Sequence, residues 1–231
     1  MGAQETTLQA RRRIEEVLEL ARNSVEPARL PHLEAYLEIY VQNLPERVLA
    51  RTTPSSLLAF LMERVRFLDE DLDRPVKVQV SRPGTSVPLL RAGVTVVETR
   101  VPDATFLVRT LKEFFRRRDA QIDLVVHPLV GVEVENGRVA RIDPRGERGK
   151  ILSHVYLHVT RIAEEDFETV RTSLEYRLRA VLRVNADFQG SLARLAKVRE
   201  SLVALGKARR TSAEEAAEAV ELVDWIANQN F

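Results

Sequence analysis

Residues able to do chemistry are few in this chain. The run SHVYLHV places His154, Tyr156 and His158 at alternate positions, so as a strand it turns all three toward one face, with Val155, Leu157 and Val159 toward the other. Two histidines four residues apart on a strand lie ~13 Å from each other, too far to share one metal ion. The spacing therefore predicts an aromatic and polar face at a sheet edge or subunit contact, with no metal centre. His127 stands before Pro128, where a strand must bend or end, and reads as structural. His32 falls in a helical pattern without an obvious partner. There is no cysteine, which removes thiol catalysis, thiolate metal sites and disulfides together. No serine, histidine and acid group into a triad, so the sequence shows no catalytic apparatus.

A second place for chemistry is the turn VPDATF, from Val101 to Phe106, where a β-rich run gives way to a helical one. A dinucleotide site there requires glycines for close approach to a pyrophosphate, and the turn has none. No Gly-Lys-Ser or Gly-Lys-Thr phosphate loop occurs elsewhere. Asp103 reads as an ordinary N-cap, its carboxylate accepting from first-turn amides. Remaining amides of such a turn can still hold an anionic group. Arg116-Arg117-Arg118 fits the last turn of the following helix, where cations complement the macrodipole. An open sheet could bind RNA on exposed aromatics, but the aromatic-rich pattern of such sheets is missing.

The elements that must position these residues fall into three zones. Residues 1–74 read as helical, with one stripe through Leu33, Leu37, Tyr40, Val41 and Leu44 and a clean helix start at Pro54-Ser55. Residues 75–184 read β-β-α-β-β-β-α: VKVQV, GVTVVETRV, a helix carrying Leu107, Leu111, Phe114 and Phe115, then IDLVVHPLVGVEVENG as one strand. Asn136-Gly137 signals a hairpin into RVARID, and LSHVYLHVTRI follows. Residues 185–231 read as helical again, with Gly206 as a C-cap and a capping box at Ser212 and Glu215. The fold class is α+β, an antiparallel sheet with helices on one face, flanked by N- and C-terminal helices. With 45% apolar and 30% charged residues and a formal net charge of +1, the chain is globular and shows no demand for nucleic acid or an anionic membrane. Basic runs at Arg11-Arg12-Arg13 and Arg209-Arg210 are offset by acidic neighbours. No apolar run approaches the ~20 residues of a membrane span, and the N-terminus lacks the apolar segment of a secretory signal. The expected location is cytoplasmic.

The residues Thr95 to Glu98, Asp103, Phe106-Leu107-Val108, His127-Pro128, Gly137, and Ser153 with His158 resemble a segment of the large bacterial NAD-specific glutamate dehydrogenases. The similarity covers most of 30–231 and is most specific over 94–130. It implies a non-catalytic N-terminal regulatory region with an ACT-like, ferredoxin-like sheet. Such sheets bind amino acids and pair across subunits, so a homo-oligomer and an amino-acid effector are expected partners. The effector position implied is the turn Pro102, Asp103, Ala104, Thr105 and Phe106, with Arg109 as carboxylate partner. Departures from the family pattern fall at that turn, in Pro102-Asp103, Thr105, Arg109 and Thr110. No cofactor is expected in this chain. NAD belongs to the full enzyme, whose catalytic domain the resemblance places downstream, making the chain an N-terminal piece.

Overall fold

Proline, threonine and serine start the helix on which the site depends. Thr53 accepts the amide of Ser56, Pro54 occupies the first helical position, and α4 runs Pro54–Asp69. It is preceded by α1 (Ala3–Ser24), α2 (Leu30–Asn43) and the short α3 (Glu46–Arg51), which the sequence pattern did not single out. The computed structural model describes residues 3–84, 93–208 and 212–228; the Arg209-Arg210 run lies outside them.

The sheet is built from β1 (Lys77–Ser81), β2 (Val94–Pro102), β3 (Ile122–Val126), β4 (Leu129–Glu135), β5 (Arg138–Asp143) and β6 (Lys150–Thr160), with α5 (Leu107–Arg116) between β2 and β3. All pairings are antiparallel, in the order β1-β2-β6-β4-β5, and β3 also pairs with β6. The expected single strand over residues 122–135 is two strands. His127-Pro128 breaks it, because proline has no N–H for the ladder; β3 lies against the far half of β6 and β4 against the near half. Asn136 and Gly137 both take positive φ, 51° and 74°, as a tight hairpin requires.

β2 and β6 pair along nine residues and are buried on both faces, which sets two layers against the sheet. On one side, Val96, Tyr156, Val130, Val132, Val139 and Ile142 join the core of α1 to α4. By alternation, Val97 and Val101 with Val155, Leu157 and Val159 face the other way, where Leu111, Phe114 and Phe115 of α5 and Leu174 and Leu178 of the next helix are buried. That helix, α6, is continuous from Phe167 to Lys207. It joins what the sequence pattern separates at residue 185, and Gly206 lies inside it rather than capping it.

Two units divide the chain, 1–179 and 180–231. In the second, the rest of α6 and α7 (Ala213–Ala227) form a helical pair, with Arg199 2.7 Å from Asp224. Ser212 and Glu215 make the expected capping box. Among the described residues no helix is long and apolar enough to cross a membrane.

Arg100 fixes the end of α4 on the sheet. Arg100 is 2% exposed, and its guanidinium donates to the carbonyls of Leu68, Glu70, Asp71 and Arg74 at 2.6–3.1 Å. These include oxygens that the helix end leaves without intrahelical partners. Lysine offers one ammonium where four carbonyls need a planar fork. Arg100→Lys is therefore expected to lower unfolding stability by about 2–4 kcal/mol, read as the midpoint of urea denaturation. An unchanged midpoint would show that α4 does not depend on this clamp.

Candidate functional site

The face that carries Tyr156 is an interior one. Glu98 and Tyr156 are register partners on β2 and β6, as are Arg100 and His154, and Val96 and His158. Glu98, Arg100, His154, Tyr156 and His158 are all at most 4% exposed. The expected sheet edge or subunit contact is thus corrected. β6 is central, and α2 and α4 of the same chain cover the polar face. A Tyr156 that is 1% exposed offers no platform for stacking bases.

Residues that the sequence pattern did not mark complete the arrangement. Arg64 of α4 brings Nε to 2.7 Å from Glu98 Oε1, an ion pair whose N–H is not aligned as a hydrogen bond. Its guanidinium carbon stands 4.8 Å from the Tyr156 ring centre and 4.9 Å from that of Phe60. Burial, the largest influence on Arg64, works to lower its pKa. The Glu98 carboxylate and the neighbouring tyrosines outweigh it, and the guanidinium is held above its usual range. His154 Nε2 lies 2.6 Å from Glu98 Oε1, and its Nδ1 2.5 Å from the Tyr36 hydroxyl. Burial, reinforced by Tyr40 and Glu98, keeps the Tyr36 phenol well above its ordinary pKa. A protonated hydroxyl is able to donate to Nδ1, and in that tautomer Nε2–H donates to Glu98. Phe67 stacks on the imidazole with ring centres 5.5 Å apart.

The network stores one buried positive and one buried negative charge, and it is incomplete. Arg64 Nη1 and the Tyr40 hydroxyl are enclosed without a hydrogen-bond partner, each at a cost of about 1–3 kcal/mol. Such a set can hold a helix in place and fix tautomers. A proton relay to a substrate would need access, which these atoms lack.

The turn predicted as the effector position has a different character. Pro102 closes β2; Asp103, Thr105, Phe106 and Arg109 are exposed, and Ala104 is half-buried. Asp103 is not the N-cap. That position belongs to Phe106, left-handed at φ 71° and 61% exposed, with no side-chain cap. The amide of Asp103 is engaged by Ile151 O at 2.9 Å, which takes it out of the donor set. Behind the turn, His127 Nε2 meets Ser153 Oγ at 2.8 Å. Ser153 pairs with Val101 in register and is fully buried, so it is no exposed nucleophile. Burial lowers the His127 pKa, and Asp103 acts against that. Of the motif residues, the fold thus gathers Asp103, His127 and Ser153 at one end of the sheet and leaves His158 at the other.

Two clefts open on the helical side. A groove of about 730 Å³ runs between α2, the end of α4 and the β4–β5 hairpin, floored by Leu33, Leu68, Val139 and Ile142. His32 closes part of it through a 2.9 Å contact with Ala140 O. A smaller cleft of about 360 Å³ lies between α4 and β1. No residue of 102–109 lines either one. Among the described residues no three histidines or acids converge as metal ligands.

A family model described as "Glutamate dehydrogenase, ACT1 domain" matches residues 36–174. No curated protein and no solved structure matches.

Glu98→Gln leaves Arg64 a buried cation without its counter-charge. It is expected to cost about 3–5 kcal/mol in urea unfolding, against a near-zero effect for an exposed pair such as Arg12–Glu16. Equal effects at the two pairs would remove the network from the account of stability. A second expectation concerns pH. Burial pushes the His158 imidazole from 6.5 down to about 4, with Asp123 opposing. The unfolded chain binds that proton near 6.5 and the folded chain only near 4, so stability falls as pH drops through that window, by roughly 3 kcal/mol. In His158→Gln the loss between pH 6.5 and 4 should shrink by that amount. His127, depressed in the same direction, keeps part of the slope. Identical pH profiles for the two proteins would refute the assignment.

Proposed function

The chain belongs to the glutamate dehydrogenase ACT1-domain family, and on that premise we propose that it is a non-catalytic regulatory and oligomerisation region of an NAD-dependent glutamate dehydrogenase. The observation that carries this reading is the extent of the match. Residues 36–174 take in the second half of α2, α3 and α4 as well as the whole sheet. The helical cover, with Tyr36 and Arg64 closed over Glu98 and His154, therefore falls within the family's domain. On this reading glutamate is oxidised to 2-oxoglutarate, with NAD as hydride acceptor, in a catalytic domain outside this chain. The enzyme is cytoplasmic, and this region contacts that domain and its counterparts in other subunits.

Regulation is assigned to the turn after β2. An amino-acid effector would place its carboxylate at Arg109, one turn into α5, against the exposed stretch Ala104, Thr105 and Phe106. Pro102 and Asp103 act as the hinge to the sheet. Support comes from the exposure of these residues and from the left-handed Phe106, a conformation of the kind that clusters at functional sites. A coupling of this kind is reciprocal and worth ~1–3 kcal/mol.

A purely assembling module is the second reading, and β1 and β5 favour it. They are the outer strands of the sheet order and so present backbone for pairing with another chain. Titrating the chain with common amino acids while following backbone amide resonances separates the readings. A regulatory turn is expected to show saturable shifts at Thr105, Phe106 and Arg109. Self-association in sedimentation, with no response at those amides to any amino acid, would leave only the assembling module.

A further inference from the structure

The second unit carries an apolar surface outside the family match, which ends at residue 174. Among its described residues only Ala216 and Val223 are buried. The contacts Arg199–Asp224 and Gly206–Ala216 set α6 and α7 antiparallel, and Val223, two turns on from Ala216, lies on the same stripe. Immediately before three of these stripe residues, Arg199, Gly206 and Val223, stand Val198, Leu205 and Leu222, each 40–57% exposed. One residue back is a rotation of about 100° around the helix. In antiparallel helices the same rotation leads to the same side of the pair, so the three side chains make one apolar face across both helices. Val184, two heptads before Val198 and also exposed, extends it along α6.

Charge divides that face. Arg194, four residues before Val198, shares its side of α6, which from 190 to 207 holds Arg194, Lys197, Arg199 and Lys207 against one acid, Glu200. Glu218, four residues before Leu222, shares its side of α7, which holds Glu214, Glu215, Glu218, Glu221 and Asp224 and no lysine or arginine. A surface that is apolar along its middle, basic on one helix and acidic on the other is complementary to itself under a two-fold axis. From this we propose that the α6–α7 hairpin docks a second copy of this chain, two hairpins closing face to face as a four-helix bundle. The axis runs along the helices, because that lays α6 of one copy on α7 of the other. An axis across them would set α7 on α7, acid against acid. Two helices each ~10 Å wide, over the ~22 Å of α7, give a footprint of about 450 Å² a copy. That is near the ~1,000 Å² total at which specific interfaces begin, so the dimer is a reversible one. The inference gives the assembling contact of the proposed function a surface other than β1 and β5, and it does not rest on the effector turn.

Sedimentation equilibrium of the whole chain across the micromolar range tests it, and a monomer–dimer equilibrium is expected. Val198→Glu and Leu222→Glu alter exposed positions without loss of helix propensity. Each should weaken the dimer at least about tenfold with unchanged far-ultraviolet circular dichroism. Because the chain has no cysteine, introduced thiols report the arrangement. Residues 198 and 222 lie close to the level of the Arg199–Asp224 pair, so Val198→Cys and Leu222→Cys should cross-link when the two variants are mixed and oxidised. A chain that stays monomeric would overturn the proposal and leave this face to a different partner. A dimer that both glutamate variants leave intact would overturn it and uphold pairing through β1 or β5. Leu222→Cys cross-linking to itself in place of Val198→Cys would overturn it as well. Amino-acid shifts at Thr105, Phe106 and Arg109 are read independently of these outcomes, so the regulatory reading stands or falls apart from this one.

Discussion

A carboxylate in the middle of a β-sheet governs the rest of this structure. Glu98 lies on a strand buried on both faces, and an ionised carboxylate there is tolerable only with a counter-charge and hydrogen bonds in place. Those partners come from outside the sheet: Arg64 from α4, and Tyr36 of α2 through His154. The sheet and its helical cover therefore cannot be assembled independently. Removing α2 and α4 would expose a core and also strand a charge.

The two faces of the same strands solve different problems. Toward α5 and α6 the contacts are those of valine, leucine and phenylalanine, which need only volume and shape. Toward α4 they are directional. Arg100 accounts for four carbonyls around the end of that helix, Lys77 reaches Phe67 O and covers the Phe67 ring, and Arg64 sits between two aromatic rings. Directional contacts specify register as well as stability. A slip of one residue in β2 would carry Glu98 and Arg100 to the apolar face.

Legibility in the sequence followed the same division. Alternation in VTVVETRV and SHVYLHV, the helical stripe at Leu111, Phe114 and Phe115, the Asn136-Gly137 turn and the Ser212 capping box depend on local pattern, and the α+β sheet could be read from them. The network could not. Tyr36, Arg64 and Glu98 are 28 and 34 residues apart along the chain, and each alone has an ordinary helix or strand setting. Arg64 sits among Glu63 and Arg66, which point to solvent, so charge pattern does not mark it. One signal was available: glutamate and arginine at alternate positions of an otherwise apolar strand, Glu98 and Arg100, beside a strand with histidine, tyrosine and histidine at matching positions. Two polar rows that pair in register must either face water or satisfy each other. Asp103 misled for a related reason. A capping residue is recognised by type, but the helix begins four residues later, after a left-handed Phe106 that no propensity announces.

These constraints bear on how a regulatory domain of this kind could respond to a ligand. A ligand shifts an equilibrium only by its differential affinity for two arrangements. The sheet does not offer two, because its register is fixed on both faces at once. α4 is held both by its apolar stripe in the helical core and by polar contacts at Arg64, Arg100 and Lys77, and among the described residues Nη1 of Arg64 and the Tyr40 hydroxyl are buried without a hydrogen-bond partner. Polar networks that are partly satisfied hold less tightly than complete ones. Any arrangement that moves α4 must therefore separate Arg64 from Glu98. The enclosed ion pair thus ties any shift of α4 to the cost of parting two buried charges.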